Sequence, residues 1–246
     1  MRKIFISAGH SNNPRGRDRG AAGNGFVEGE LMAEFRNLLV RALKQRGVNP
    51  IVDKDDSIFS ETINYFRNLT TNSCIVLDLH TNAASPQAQG TETLVPATPS
   101  NFELDLAQAL SRAVSQELEI PLRGRTQGRD GVKTELQSHH GRLSWMRLTG
   151  ENVLMELFFI SNAAEVAKYQ ERKVRLANRI AEVLIEYARL PTGKTITPPK
   201  ITYTVVQGDS LWSISRRHNT TIAALTAANN LDIKSRIVPG QKLIIP

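Results

Sequence analysis

Four residues combine a type that binds metal or moves protons with a place at or near the end of a predicted element: His10, Glu28, His80 and Glu156. His10 follows a β-like run and Gly9, and His80 follows Leu77-Asp78-Leu79. Glu28 opens a helical pattern, and Glu156 lies inside Val153-Leu154-Met155-Glu156-Leu157-Phe158-Phe159. Two imidazoles and one carboxylate are a recurrent ligand set for catalytic zinc that leaves a fourth position for water. A further carboxylate beside that water supplies a general base. Each residue also has an ordinary structural reading. A histidine after a strand is more often a hydrogen-bonded loop or core residue, and the helix dipole alone favours Glu28 at a helix start. Glu156 is harder to dismiss, because an ionised carboxylate in an apolar strand is unfavourable unless paired or placed at a functional rim.

The elements that must position these groups alternate in type. Residues 3–8, 48–52, 74–79, 91–95 and 152–157 read as strands, the third apolar or β-branched except at Asp78. Helical spacing of apolar residues covers 31–43, 61–69, 102–118 and 163–190. Alternation of this kind predicts an α/β domain with a mainly parallel sheet flanked by helices, since parallel strands require crossover connections. Functional groups in such sheets gather at the carboxyl ends of the strands. If the strands are adjacent and parallel, the four residues converge at one rim.

Gly9-His10, the acid at Glu28, Leu79-His80-Thr81-Asn82-Ala83 and the run from Val153 through Glu156 to Ile160-Ser161-Asn162 resemble the zinc-dependent N-acetylmuramoyl-L-alanine amidases of the amidase_3 type, over about residues 3–190. The resemblance implies that His10, Glu28 and His80 hold one Zn2+ and that Glu156 is the catalytic acid/base. The implied reaction is hydrolysis of the amide between the lactyl group of N-acetylmuramic acid and L-alanine in peptidoglycan. Two departures stand out. Residues 11–20 are polar and basic where the family is usually glycine-rich, and Gly29 and Glu30 follow Glu28 where a lysine is common. Glu28 shares a helical face with Leu31 and Phe35, whereas Glu30 projects about 160° away from Glu28 if both are helical.

Residues 191–200, rich in Pro and Thr, read as an extended tether. The expected division is therefore a catalytic domain at 1–191, a linker at 192–201 and a small domain at 202–246. From Tyr203 onward a strand, two short helices and a returning strand are predicted, with Asp209 or Ser210 capping the first helix. This βααβ segment resembles a LysM domain. The resemblance implies binding of N-acetylglucosamine-containing glycan through Gly208, Asp209, Ser210 and Leu211 and through Val238, Pro239 and Gly240. Trp212 is a stacking candidate, but at helical spacing in so small a module it reads as core.

Composition bounds the rest. The chain has 246 residues, 40% hydrophobic and 22% charged, with a net charge of +7. The last 55 residues carry seven basic residues against two acids. Such a tail suits nucleic acid or an anionic wall, and the motifs point to the wall and to neither nucleic acid nor membrane. No stretch approaches the ~18 uninterrupted apolar residues of a membrane helix. The apolar run at the N-terminus is too short for a secretory signal. The expectation is a monomer made in the cytoplasm that acts on the bacterial wall after release, as a phage endolysin, with a bacterial or injected effector as the rival role. Cys74 reads as a small buried hydrophobe, His139 and His140 as surface or cleft-wall residues, and Arg15, Arg17 and Arg19 as a solvated loop. A zinc endopeptidase and a non-catalytic wall-binding protein with a degenerate enzyme domain remain as alternatives.

Overall fold

Lys3–Ser7 forms the first strand, β1, and its apolar residues are buried on both sides. This first strand belongs to a computed structural model that describes residues 1–10, 18–139, 141–191, 201–218 and 220–245. The chain divides into two compact units, Met1–Ile196 and Thr197–Pro246. Arg15, Arg17, His140 and the tether at 192–200 lie outside the described residues.

In the first unit β1 is followed by a small hairpin, β2 (Ala22–Gly23) and β3 (Phe26–Val27), and by helix α1 (Glu28–Gln45). Next come β4 (Ile51–Val52), α2 (Phe59–Arg67), β5 (Cys74–Asn82), β6 (Glu92–Val95) and α3 (Asn101–Leu118). Three short strands follow, β7 (Arg125–Thr126), β8 (Arg129–Asp130) and β9 (Val132–Thr134), then β10 (Glu151–Phe159) and α4 (Ala163–Arg189). The main sheet has the order β4-β1-β5-β10-β6-β9. Strands β4, β1, β5 and β10 are parallel, β6 is antiparallel to β10, and β9 runs parallel to β6. The sheet is thus mixed with mostly parallel strands.

Side-chain alternation along β5 decides which layer receives the polar groups. Ile75, Leu77 and Leu79 join the larger core beneath α1, α3 and α4. Cys74 and Val76 face the other way, into a smaller core with Phe5, Phe66, Trp145 and Leu154. Asp78, His80 and Asn82 continue that second face by the same period. Cys74 is buried, in keeping with its reading as a small hydrophobe.

Of the boundaries that differ from the sequence expectation, those at the ends of β5 and β10 bear on the site. Strand β5 runs three residues past Leu79 and β10 two past Leu157, because His80 pairs in register with Glu156 and Asn82 with Phe159. His80 therefore lies within a strand instead of after one. The segment Ile160-Ser161-Asn162 then turns the chain into α4. Asn162 caps that helix, its side chain accepting from the backbone N–H groups of Ala164 and Glu165.

The second unit pairs β11 (Ile201–Thr204) antiparallel to β12 (Lys242–Ile245), with α5 (Leu211–Arg217) and α6 (Ile222–Ala228) between them. Val205, Leu211, Ile214, Leu225, Leu243 and Ile245 form its core. Ser210, not Asp209, caps α5 by accepting from Ser213 N at 3.0 Å. The Asp209 carboxylate instead accepts from Tyr203 Oη, Val206 N and Arg217, which pins the turn before the helix. Trp212 is 64% exposed, which overturns its reading as core. One step of about 100° from Leu211 carries it off the buried face that Leu211 and Ile214 share.

Candidate functional site

Three elements deliver the sequence-predicted residues to one place. After β1 the backbone turns at Gly9, whose φ is +69°, and His10 comes to lie against His80, with the ring centroids 4.9 Å apart. A Cβ at Gly9 would lie 2.6 Å from His80 Nε2 and 2.6 Å from Leu79 O, so only glycine fits. Glu28 is the first residue of α1, brought in by the hairpin whose flanking bond is Glu28 N to Ala21 O. Its buried carboxylate accepts from Thr81 N through Oε1 at 2.9 Å and from Ala21 N through Oε2 at 2.8 Å. Glu30 is exposed and pairs with Arg19, away from both histidines.

The potential ligand atoms of His10, Glu28 and His80 all lie within 4.8 Å of one another. His80 Nδ1 is 3.2 Å from Glu28 Oε1, and His10 Nε2 is 3.6 Å from Glu28 Oε2. Ligands about 2.0–2.2 Å from a tetrahedral zinc ion stand roughly 3.3–3.6 Å apart, close to the two histidine–Glu28 separations, while the set as a whole spans up to 4.8 Å. Burial opposes ionisation of Glu28, yet His80, His10 and the Ala21 N–H outweigh it and hold the carboxyl below its usual range. Burial likewise opposes the charge on His80, but Asp78 and then Glu28 raise the imidazole well above its ordinary value.

Glu156 stands in one row across the sheet, between His80 on β5 and Glu92 on β6. Burial above all, with added repulsion from Glu28, Glu92 and Asp78 and opposed by His80, pushes its carboxyl up to about 7. Its Oε2 is buried and has no hydrogen-bond partner among the described residues. Glu156, His10 and His80 line a cleft of about 270 Å3 whose other wall is apolar, made by Phe59, Leu94, Leu143, Trp145 and Leu154. The arrangement can place a carbonyl and a water between a cation site and an acceptor able to gain and lose a proton near neutrality.

Sequence reasoning missed three carboxylates around this centre. Asp18 Oδ1 lies 2.8 Å from His10 Nδ1 and Asp78 Oδ2 lies 3.1 Å from His80 Nε2. Glu92 receives Lys133 Nζ at 2.7 Å, Arg123 Nε at 3.2 Å and Asn82 Nδ2 at 3.3 Å. Asp78 carried a readable signal, a charge inside an apolar strand, whereas Asp18 and Glu92 had none. His139 is exposed, and Arg19 is engaged with Glu30.

In the second unit the two loops expected to meet glycan are neighbours, joined by Gly240 N to Val205 O and Val205 N to Gln241 O, each 2.8 Å. Gly208 and Gly240 both have positive φ, with open space where a Cβ would stand. Val238 is exposed. The Leu211 side chain belongs to the core and Asp209 is engaged internally, so these two leave only backbone for a ligand.

Residues 4–186 match the family model of N-acetylmuramoyl-L-alanine amidases of the Amidase_3 type, and residues 203–246 match the LysM domain. The chain belongs to the Amidase_3 family and carries a C-terminal LysM domain. Among solved structures it is similar to a putative N-acetylmuramoyl-L-alanine amidase from Neisseria meningitidis, 27% identical, with a TM-score of 0.59 over 75% of this chain and 94% of that one. The catalytic domain of CwlV, an N-acetylmuramoyl-L-alanine amidase from Bacillus (Paenibacillus) polymyxa, shares the fold at 23% identity and a TM-score of 0.58, covering 76% of this chain and 98% of that one. The N-acetylmuramoyl-L-alanine amidase LytC of Bacillus subtilis is 26% identical over 193 residues, which span 76% of this chain but 35% of LytC.

The glycine turn carries a test of this site. Gly9→Ala, which forces a methyl group into the His80 ring and a left-handed backbone, is expected to lower hydrolysis at least ~10²-fold through displacement of the ring. Gly25→Ala, also at positive φ but with open space around it, is the control for backbone strain alone. Equal activity in the two variants would contradict the close-approach argument.

Proposed function

We propose that this chain is a peptidoglycan hydrolase that cleaves the amide between the lactyl group of N-acetylmuramic acid and L-alanine, with one Zn2+ held by His10, Glu28 and His80. The observation that carries the reading is Glu156, whose buried Oε2 has no hydrogen-bond partner among the described residues, on the same cleft as His10 and His80, two of the three candidate ligands. A bound zinc ion supplies Lewis-acid polarisation of a carbonyl and eases ionisation of water.

This chain's own groups do the rest. Glu156, ionised, accepts a proton from the attacking water. The same carboxyl then gives that proton to the alanine nitrogen, which leaves as a neutral amine while the lactyl carbonyl becomes a carboxylic acid; the acid then loses its own proton to the released amine or to water, giving a carboxylate and an ammonium group or hydronium. A carboxyl can serve in both directions, and the apolar wall keeps bulk water from competing for the proton. Glu28 stays ionised throughout because backbone N–H groups and two imidazoles favour its charge.

Mass spectrometry of digested wall tests the reaction. A free lactyl carboxyl on muramic acid together with new N-terminal alanine is the expected result. A different new amine would show an endopeptidase, and no cleavage at all would show a wall-binding protein only.

The LysM unit is proposed to hold the enzyme on N-acetylglucosamine-containing glycan, raising the local concentration of substrate without a new contact in the cleft. A chain ending at residue 196 is expected to retain its rate on a soluble muramyl peptide while losing about tenfold or more on intact sacculi. Equal loss on both substrates would mean that the second unit acts on the catalytic site and not on the wall.

A further inference from the structure

We propose that Asp78 and Asp18 are positioning residues that fix the two imidazoles, so that His80 turns Nδ1 and His10 turns Nε2 to the Glu28 carboxylate. The inference rests on the metal reading above and assigns roles to residues outside the three ligands.

Asp78 is fully buried and lies two residues before His80 on β5, on the same face of the sheet. Its Oδ2 is 3.1 Å from His80 Nε2, and its Oδ1 has no partner among the described residues. Polar groups on the neighbouring elements are already committed. Ser7, paired with Asp78 across β1, gives its hydroxyl to Asp53 Oδ2 at 3.0 Å. Arg36 donates to Asp53 Oδ1 at 2.6 Å and also pairs with Asp55. A buried carboxylate without an arginine is costly, and here its one oriented partner is an imidazole. Asp18 repeats the arrangement at the other ring, with Oδ1 2.8 Å from His10 Nδ1.

A metal-bound imidazole is neutral, with one N–H and one lone pair. Donation of the N–H to an aspartate therefore places the lone pair on the opposite nitrogen, and in both rings that nitrogen is the one facing Glu28. The two rings use opposite nitrogens, His80 Nδ1 and His10 Nε2.

Zinc affinity of the full chain, measured by competition with a chromophoric chelator, tests the assignment. Asp78→Ala is expected to bind zinc about 10–100-fold more weakly. Asp78→Asn, whose side-chain oxygen still accepts from Nε2–H, is expected to recover most of that loss. Asp18→Ala is expected to weaken binding in the same direction, and its partly exposed position keeps folding out of the result. Long-range 1H–15N spectra of the zinc-loaded protein should show the proton of His80 on Nε2 and that of His10 on Nδ1. Both alanine variants within twofold of the parent, or a proton on His80 Nδ1, would overturn the assignment while leaving the metal reading intact. A parent chain that binds no zinc would overturn both.

Discussion

Glu156→Gln is expected to lower hydrolysis of the muramyl-peptide amide by about 10²–10⁴-fold, with zinc affinity unchanged within a few-fold. Glutamine keeps the shape of the side chain and its place between His80 and Glu92, but it cannot take a proton from water or return one to the leaving nitrogen. The same substitution should stabilise the metal-free protein. The carboxyl is raised from 4.5 to about 7 in the fold, so the folded state holds its proton more tightly than the unfolded chain. The stability this contributes is present in full below about pH 4.5 and is lost as pH rises through about 7. Above that the parent carries a cost on the order of 3 kcal/mol that the glutamine variant lacks. Melting curves with chelator present should diverge between pH 5 and 8, the variant melting higher at pH 8. Parallel curves would mean that the carboxyl titrates as it does in solvent.

Glu28→Ala is the second large effect, and it acts on both binding and folding. The change removes a proposed zinc ligand and leaves Thr81 N and Ala21 N without an acceptor. Zinc binding is expected to fall by about 10²-fold or more, with hydrolysis falling to background. The two stranded N–H groups should cost on the order of 2–4 kcal/mol in the metal-free protein, seen as a lower urea midpoint. Glu30→Ala is the matched control. Its carboxylate is exposed and pairs with Arg19, so zinc affinity should not change and stability should move by less than about 0.5 kcal/mol. If Glu30→Ala abolished zinc binding while Glu28→Ala spared it, the ligand assignment would be reversed.

How much of this was legible beforehand depended on the period of each segment. The long helices and the central strands announced themselves because their apolar residues repeat over many positions, and this was enough to expect a mainly parallel sheet. The acids and histidines at the strand ends could be named because each interrupts or closes such a pattern. Strand β9 and the two short hairpins were not legible, since two or three residues in a stretch rich in glycine and arginine hold too few alternations to register. The antiparallel direction of β6 was hidden for another reason. Direction follows from the connections and from packing partners, and Glu92 became the neighbour of Glu156 only through it. Asp18 reached His10 from a loop position with no period at all, at a φ of 60°. Trp212 misled because one helical step separates a core position from an exposed one, and seven residues of helix do not fix the phase.

The geometry gathers three side chains from β5, α1 and the turn after β1 at one physical centre, with Glu156 near them. Metal content of the purified full chain, measured by elemental mass spectrometry after exhaustive dialysis, examines that centre most directly. The account predicts close to one zinc per chain in the parent and in Glu156→Gln, and almost none in a folded His80→Ala variant. A parent without zinc, or a His80→Ala protein carrying as much as the parent, would contradict it.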